Sequence, residues 1–127
     1  MNKSRREFLV WMALIGITSK VHGESAMKDE KMYGLIGKMI AVPGKRDELA
    51  KILIAGVAGM PGCLSYVVAK DSSDDNSLWI TEVWESQTMH QASLKLESVQ
   101  NAIAKGRPLI SGFGERFETQ PLGGSGM

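Results

Sequence analysis

One stretch constrains this chain more than any other. Tyr33 to Val42 (YGLIGKMIAV) is apolar or glycine at nearly every position, whichever alternate set is counted. A strand half-exposed to water alternates apolar and polar residues, so this run predicts a strand with neither face fully wet. Cys63 to Lys70 (CLSYVVAK) predicts a second strand of similar character. Leu78 to Glu85 (LWITEVWE) predicts a third, and the polar turn DSSDDNS between the two makes them a hairpin. On the third strand Leu78, Ile80, Glu82 and Trp84 share one face, and Trp79, Thr81, Val83 and Glu85 share the other. Phe113 to Thr119 predicts the last strand, followed by the Gly-rich tail QPLGGSGM, which is read as flexible or as lying on a neighbouring chain.

Helices fill the gaps. Pro43-Gly44 is expected to start the first, with Asp47 and Glu48 near the positive end of its dipole. Leu49, Ile52, Leu53, Val57 and Met60 form its apolar stripe, and Gly59 to Gly62 (GMPG) stops it. Ser86 is a good N-cap for a helix opening QTMHQASLKL. A further helix near Ser98 to Gly106 carries Val99, Ala102 and Ile103, and Gly106-Arg107-Pro108 breaks or bends it. The order β-α-β-β-α-α-β predicts an α+β domain, residues 33–119, of the ferredoxin-like split β-α-β class with a four-stranded antiparallel sheet. Helices cover one face of such a sheet. The apolar residues on the other face are most simply covered by a second copy, sheet against sheet, in a dimeric α/β barrel.

Residues 1–23 differ in kind. Lys3, Arg5 and Arg6 precede an apolar run from Phe8 to Ile17, and Lys20 follows it. As a helix that run is about 15 Å long, half the ~30 Å hydrocarbon core of a membrane, which is the length of a signal segment. Ser4-Arg5-Arg6-Glu7-Phe8-Leu9 resembles the twin-arginine export motif. The expectation is a periplasmic protein, cut near Val21-His22-Gly23 and not inserted in the membrane afterwards; the competing reading is an amphipathic helix that stays on the protein. Residues 24–32 read as a polar leader.

Composition excludes several classes. The 127 residues carry 15 Lys+Arg against 14 Asp+Glu, which gives no electrostatic reason to expect a nucleic-acid partner. Two histidines and one cysteine do not make a Cys/His zinc site, and Cys63 alone allows no intrachain disulfide. Gly34-Leu35-Ile36-Gly37 lacks the third glycine of a dinucleotide loop. Asp71, Asp74 and Asp75 read as a solvated hairpin loop rather than a calcium site.

Pro43-Gly44-Lys45, then Met60-Pro61-Gly62-Cys63-Leu64-Ser65-Tyr66, then Glu82-Val83-Trp84-Glu85-Ser86, with Val99-Gln100 later, occur in an order and spacing that resembles the antibiotic biosynthesis monooxygenase family, which includes small quinol monooxygenases. The resemblance runs from Tyr33 to about Thr119. It implies a ferredoxin-like dimer that oxygenates electron-rich quinols or polyphenols with molecular oxygen and without metal, flavin or haem. The family often has a histidine nine residues past the tryptophan and another near the next helix start; those positions here are Ser93 and Ser98.

Such chemistry needs the substrate as an anion. A phenol near pKa ~10 facing a histidine near ~6.5 leaves a gap of roughly 3.5 pH units, almost 5 kcal/mol, for the site to offset with fixed donors in a dry pocket. His90, the one histidine beyond residue 23, is the candidate base, or else a surface helix residue. Trp84 is a candidate wall and N–H donor, or a core tryptophan. Tyr66 is a candidate proton donor to an oxyanion, or a packed tyrosine. Glu82, Ser93 and Arg107 are candidate substrate contacts, with Arg107 also the partner for Glu82 should it be buried. Cys63 reads as an inert thiol. Two further functions stay open: a non-catalytic binder of aromatic ligands, favoured by Ser93 and Ser98, and a haem protein using His90.

Overall fold

The computed structural model describes residues 31–127. The export segment read at 1–23, and the leader up to residue 30, lie outside the described residues. Among the described residues no helix is long and apolar enough to cross a membrane.

The elements run β1 (Tyr33–Ala41), α1 (Arg46–Gly56), β2 (Cys63–Lys70), β3 (Ser77–Trp84), α2 (Gln87–Ser93), α3 (Glu97–Gly106), a 3-10 turn (Arg107–Leu109) and β4 (Ile110–Thr119). The four strands form one antiparallel sheet in the order β2-β3-β1-β4. This is the expected ferredoxin-like α+β fold. The central strands are β1 and β3, and they are the most buried, as the unbroken apolar run of β1 requires.

Alternation decides which residues meet the helices. Leu35, Met39 and Ala41 of β1 and Leu78, Ile80, Glu82 and Trp84 of β3 are buried on the inner face. Leu49 and Leu53 of α1 and Val99 and Ala102 of α3 close over them. The two long helices pack closely because Gly56 lies against Ala102; a Cβ on residue 56 would come within 2.4 Å of the Ala102 Cβ. On the other face the register aligns Val67, Thr81, Ile36 and Phe117 in one row across all four strands. Val67 and Phe117 there are about half exposed, at 50% and 52%.

Several element ends differ from the sequence reading, among them the starts of α1 and β4. Pro43-Gly44 does not start α1, because Gly44 has φ +83°, a left-handed turn conformation that a helix does not contain. The chain turns there, with the Lys45 N–H donating to the Val42 carbonyl at 2.9 Å, and the helix begins at Arg46. β4 begins at Ile110 rather than Phe113, since Ile110 still pairs with Ala41. Cys63 faces Trp84 in the register, a bulge follows at Leu64, and Ser65 then faces Val83. That extra residue sets Tyr66 opposite Glu82.

The acidic β2–β3 loop is held by its own groups. Arg46 Nη1 donates to the carbonyls of Asp71, Asp74 and Ser77 at 3.3, 2.7 and 3.4 Å. The Asp71 carboxylate accepts from the Ser73 and Asp74 N–H groups and from Trp79 Nε1. Residues 120–127 form no helix or strand, and Pro121 packs where the missing side chain of Gly34 leaves space.

Candidate active site

Glu82 and Trp84 lie two apart on β3, so both point beneath the helices. Only Glu85 and Ser86 separate β3 from α2. The Ser86 hydroxyl caps that helix by accepting from the Met89 N–H at 3.2 Å. The cap fixes where the first turn goes, and His90, at the end of that turn, is carried back over the end of β3.

The three side chains meet at one oxygen. Trp84 Nε1 donates to Glu82 Oε1 at 2.9 Å. His90 Nε2 stands 3.6 Å from the same oxygen, too long for a strong hydrogen bond. The His90 ring packs edge-on to Trp84 with centroids 5.3 Å apart, and Tyr33 lies 5.5 Å away on its other side. His90 is 2% exposed, and its Nδ1 has no hydrogen-bond partner among the described residues.

These groups border a cavity of about 50 Å³ between sheet and helices. Its remaining walls are mostly aliphatic, including Met39, Leu53, Val57, Met60 and Ile103. Tyr66, Glu82, Trp84, His90 and Ser93 all line it, so five of the six residues singled out from the sequence come together. Ser93 arrives with its hydroxyl committed, donating to the His90 carbonyl at 2.5 Å. Ser98 is exposed on α3 and takes no part in the lining. Arg107 sits in the 3-10 turn and is not among the lining residues. The cation whose field reaches Glu82 and His90 is Arg116 on β4. Arg116 lies opposite Gly37 in the register, on the parity of the inner face. Two pairs along, on the same face, Glu118 accepts from the Tyr33 hydroxyl.

Burial sets the protonation states. It raises the Glu82 carboxyl from 4.5 to about 7, against the opposing pull of the Trp84 N–H and of Arg116. It lowers His90 from 6.5 to about 4, with Arg116 acting in the same direction. Near neutral pH the imidazole is therefore uncharged, and the carboxyl exchanges its proton. Tyr66 is pushed well above its usual value by burial and by the nearby Glu82, and stays a neutral O–H donor. The Cys63 thiol is likewise pushed up by burial and donates weakly to the Ser65 carbonyl, which makes it a poor nucleophile. Among the described residues no three or more His, Cys, Asp or Glu side chains gather to hold a metal ion.

The arrangement is a titrating carboxyl, a neutral imidazole and an indole donor in an otherwise apolar chamber. Sequence reasoning missed Arg116, Glu118 and Tyr33. The available signal was the shared parity of Arg116 and Glu118 in the last strand.

Comparison with known proteins points one way. The chain is similar to a crystal structure from Chloroflexus aurantiacus J-10-fl, named for antibiotic biosynthesis monooxygenases, at 62% identity and TM-score 0.74, covering 75% of this chain and 97% of that one. A Caulobacter crescentus CB15 structure named for the same family shares the fold at 18% identity and TM-score 0.68, covering 74% of this chain and 92% of that one. The uncharacterized protein sll1783 of Synechocystis sp. is 28% identical over 83 residues, which are 63% of this chain and 56% of that protein's length. Residues 32–105 match the antibiotic biosynthesis monooxygenase family as a whole, and this chain belongs to that family.

Proposed function

We propose that this chain is a cofactor-independent monooxygenase for quinols or polyphenols. The observation that carries the reading is the buried Glu82, titrating near neutral pH between the Trp84 N–H and a neutral His90 in an apolar cavity. Glu82 takes the phenolic proton. Against a phenol of pKa ~10 its deficit is roughly 3 pH units, about 4 kcal/mol, whereas His90 at about 4 would face roughly twice that. Of the two groups, Glu82 is the one matched to the task, and His90 serves beside it as a neutral wall.

The anion gives electrons to dioxygen, a C–O bond forms on the ring, and the O–O bond breaks. A quinol plus dioxygen yields a hydroxyquinone plus water. The quinol supplies the electrons, so no further reductant is needed. Tyr66, held protonated, donates to developing oxyanion charge. The apolar walls keep water from the intermediates.

The oligomer and the location belong to the same proposal. The uncovered sheet face supports a two-fold homodimer. Arg5-Arg6 and the apolar run after them support export to the periplasm.

The experiment is incubation of the purified protein with a panel of quinols in air and under argon. Hydroxyquinone formed only in air, with one dioxygen consumed per quinol, is the expected result. Ser93 and Ser98 bring no second base to the cavity, and that observation favours the competing reading, a binder of aromatic ligands. Tryptophan quenching by quinols with no oxygen uptake would assign the chain to that class.

A further inference from the structure

A second hollow adjoins the cavity. It is an open groove of about 340 Å³ between the C-terminal end of α1, the following turn and β2. Its own walls include Ile54, Ala58, Leu64 and Val68, with Cys63 and Ser65 along the strand. Val57, Met60 and Tyr66 line both spaces, so a single layer of side chains divides groove from cavity.

The volumes make that layer matter. A benzene ring is held by an apolar cavity of about 150 Å³. The cavity here is about 50 Å³, so no ring enters it until a wall gives way. Of the three shared side chains, Val57 is short and stiff, and Tyr66 belongs to a strand. Met60 is unbranched, has three rotatable bonds, and sits in a turn between two glycines of positive φ, Gly59 and Gly62. It is the wall that moves at least cost. Swinging it aside joins the small chamber to a groove several times larger, where Ile54, Leu64 and Val68 present aliphatic side chains.

We propose that the α1–β2 groove is a subsite for the apolar substituent of a quinol whose ring occupies the cavity, reached by displacement of Met60. The inference rests on the reading of the cavity as the ring site and narrows it to single-ring substrates with an aliphatic tail. A charged substituent has no counterpart there, because no charged side chain is among the groove's lining residues, whereas Ile54, Val57, Leu64 and Val68 offer hydrocarbon to a tail.

The test compares hydroquinone with 2-pentylhydroquinone, both titrated calorimetrically under argon against the full chain. Burying one methylene is worth about fourfold in affinity. With part of the tail in an open groove, the pentyl compound is expected to bind at least tenfold tighter. Ala58→Phe, which fills the groove, and Ile54→Asp, which makes it polar, are expected to erase that gain and leave hydroquinone binding unchanged. Both positions are exposed and neither lines the cavity, so the variants keep the fold. Equal affinities in the wild type, or a gain that survives in both variants, overturn the subsite. Failure of hydroquinone itself to bind overturns the ring site and the subsite with it.

Discussion

The decisive groups at the residue scale are two side chains that burial pushes in opposite directions. Glu82, raised in the folded protein to about 7, sets the pH dependence of turnover: the rate is expected to climb with pH and level off above about 7. Glu82→Gln keeps the volume and an acceptor for the Trp84 N–H but removes the base. It is expected to lower kcat by about a hundredfold or more, read as oxygen uptake with a quinol. A rate within a few fold of wild type would move the base elsewhere. The same shifts govern stability. Between pH 4.5 and 7 the folded protein keeps a proton on Glu82 that the unfolded chain releases, so stability falls as pH rises through that window. Between pH 6.5 and 4 the unfolded chain gains a proton on its histidine that the folded one refuses, so stability falls as pH drops. Each effect amounts to about 3 kcal/mol, and from pH 4.5 to 6.5 they oppose each other. Relative to wild type, Glu82→Gln is expected to unmask a rise of stability with pH, and His90→Gln a fall. Urea unfolding at pH 4.5, 5.5 and 6.5 measures both. Parallel curves for all three proteins would show that neither group is shifted. The parity of Glu82 and Trp84 was legible from eight residues of strand. The role of Arg116 was not, because it depends on which strand neighbours β1 and on a glycine facing it across the ladder.

A seven-residue element positions His90, and at that scale local signals are at their clearest. α2 is too short to be stable alone, so its cap and its packing hold it. Ser86 was readable as that cap because a hydroxyl satisfies a free N–H wherever the helix ends up. Ser86→Ala is expected to cost about 1 kcal/mol, seen as a lower urea midpoint with unchanged slope. A midpoint equal to wild type would mean that water or a neighbouring group replaces the hydroxyl. The start of α1 was misjudged for a related reason. Proline suits both a helix's first turn and the turn before it, and the choice was made by Gly44, whose positive φ no pattern of apolar residues announces. The β4 start was set by partnership with Ala41 in a strand far away in the sequence, which periodicity within β4 does not reveal.

Among the described residues the sheet has a closed face and an open one, and the open one carries the last prediction. Helices seal the inner face of the sheet, where the cavity lies. Val67, Thr81, Ile36 and Phe117 cross the outer face in one row, with the half-buried Val83 on one side and the Lys38–Trp79 pair on the other. In the proposed dimer a two-fold axis near that row would set Val67, Ile36 and Phe117 of one chain against the same residues of the other, as an isologous interface requires. Toward one end the surface turns polar, with the Lys38 ammonium 5.8 Å from the Trp79 ring centre and Trp79 Nε1 bound to Asp71. That end suits a rim. Phe117→Glu replaces an exposed ring with a carboxylate near the middle of the proposed contact and, by symmetry, does so twice. Sedimentation velocity is expected to show a dimer for the wild type at micromolar concentration and a single subunit for Phe117→Glu. Ala58→Phe, on the far side of the molecule in the groove, serves as the control that stays dimeric. Because Phe117 and Glu82 point to opposite faces of the sheet, the lone subunit is expected to keep the opposing stability slopes of Glu82 and His90 while its overall stability falls. A wild type that sediments as one subunit would leave the outer face bare and remove the dimer from the proposal, and the acid–base chamber would then belong to each chain alone.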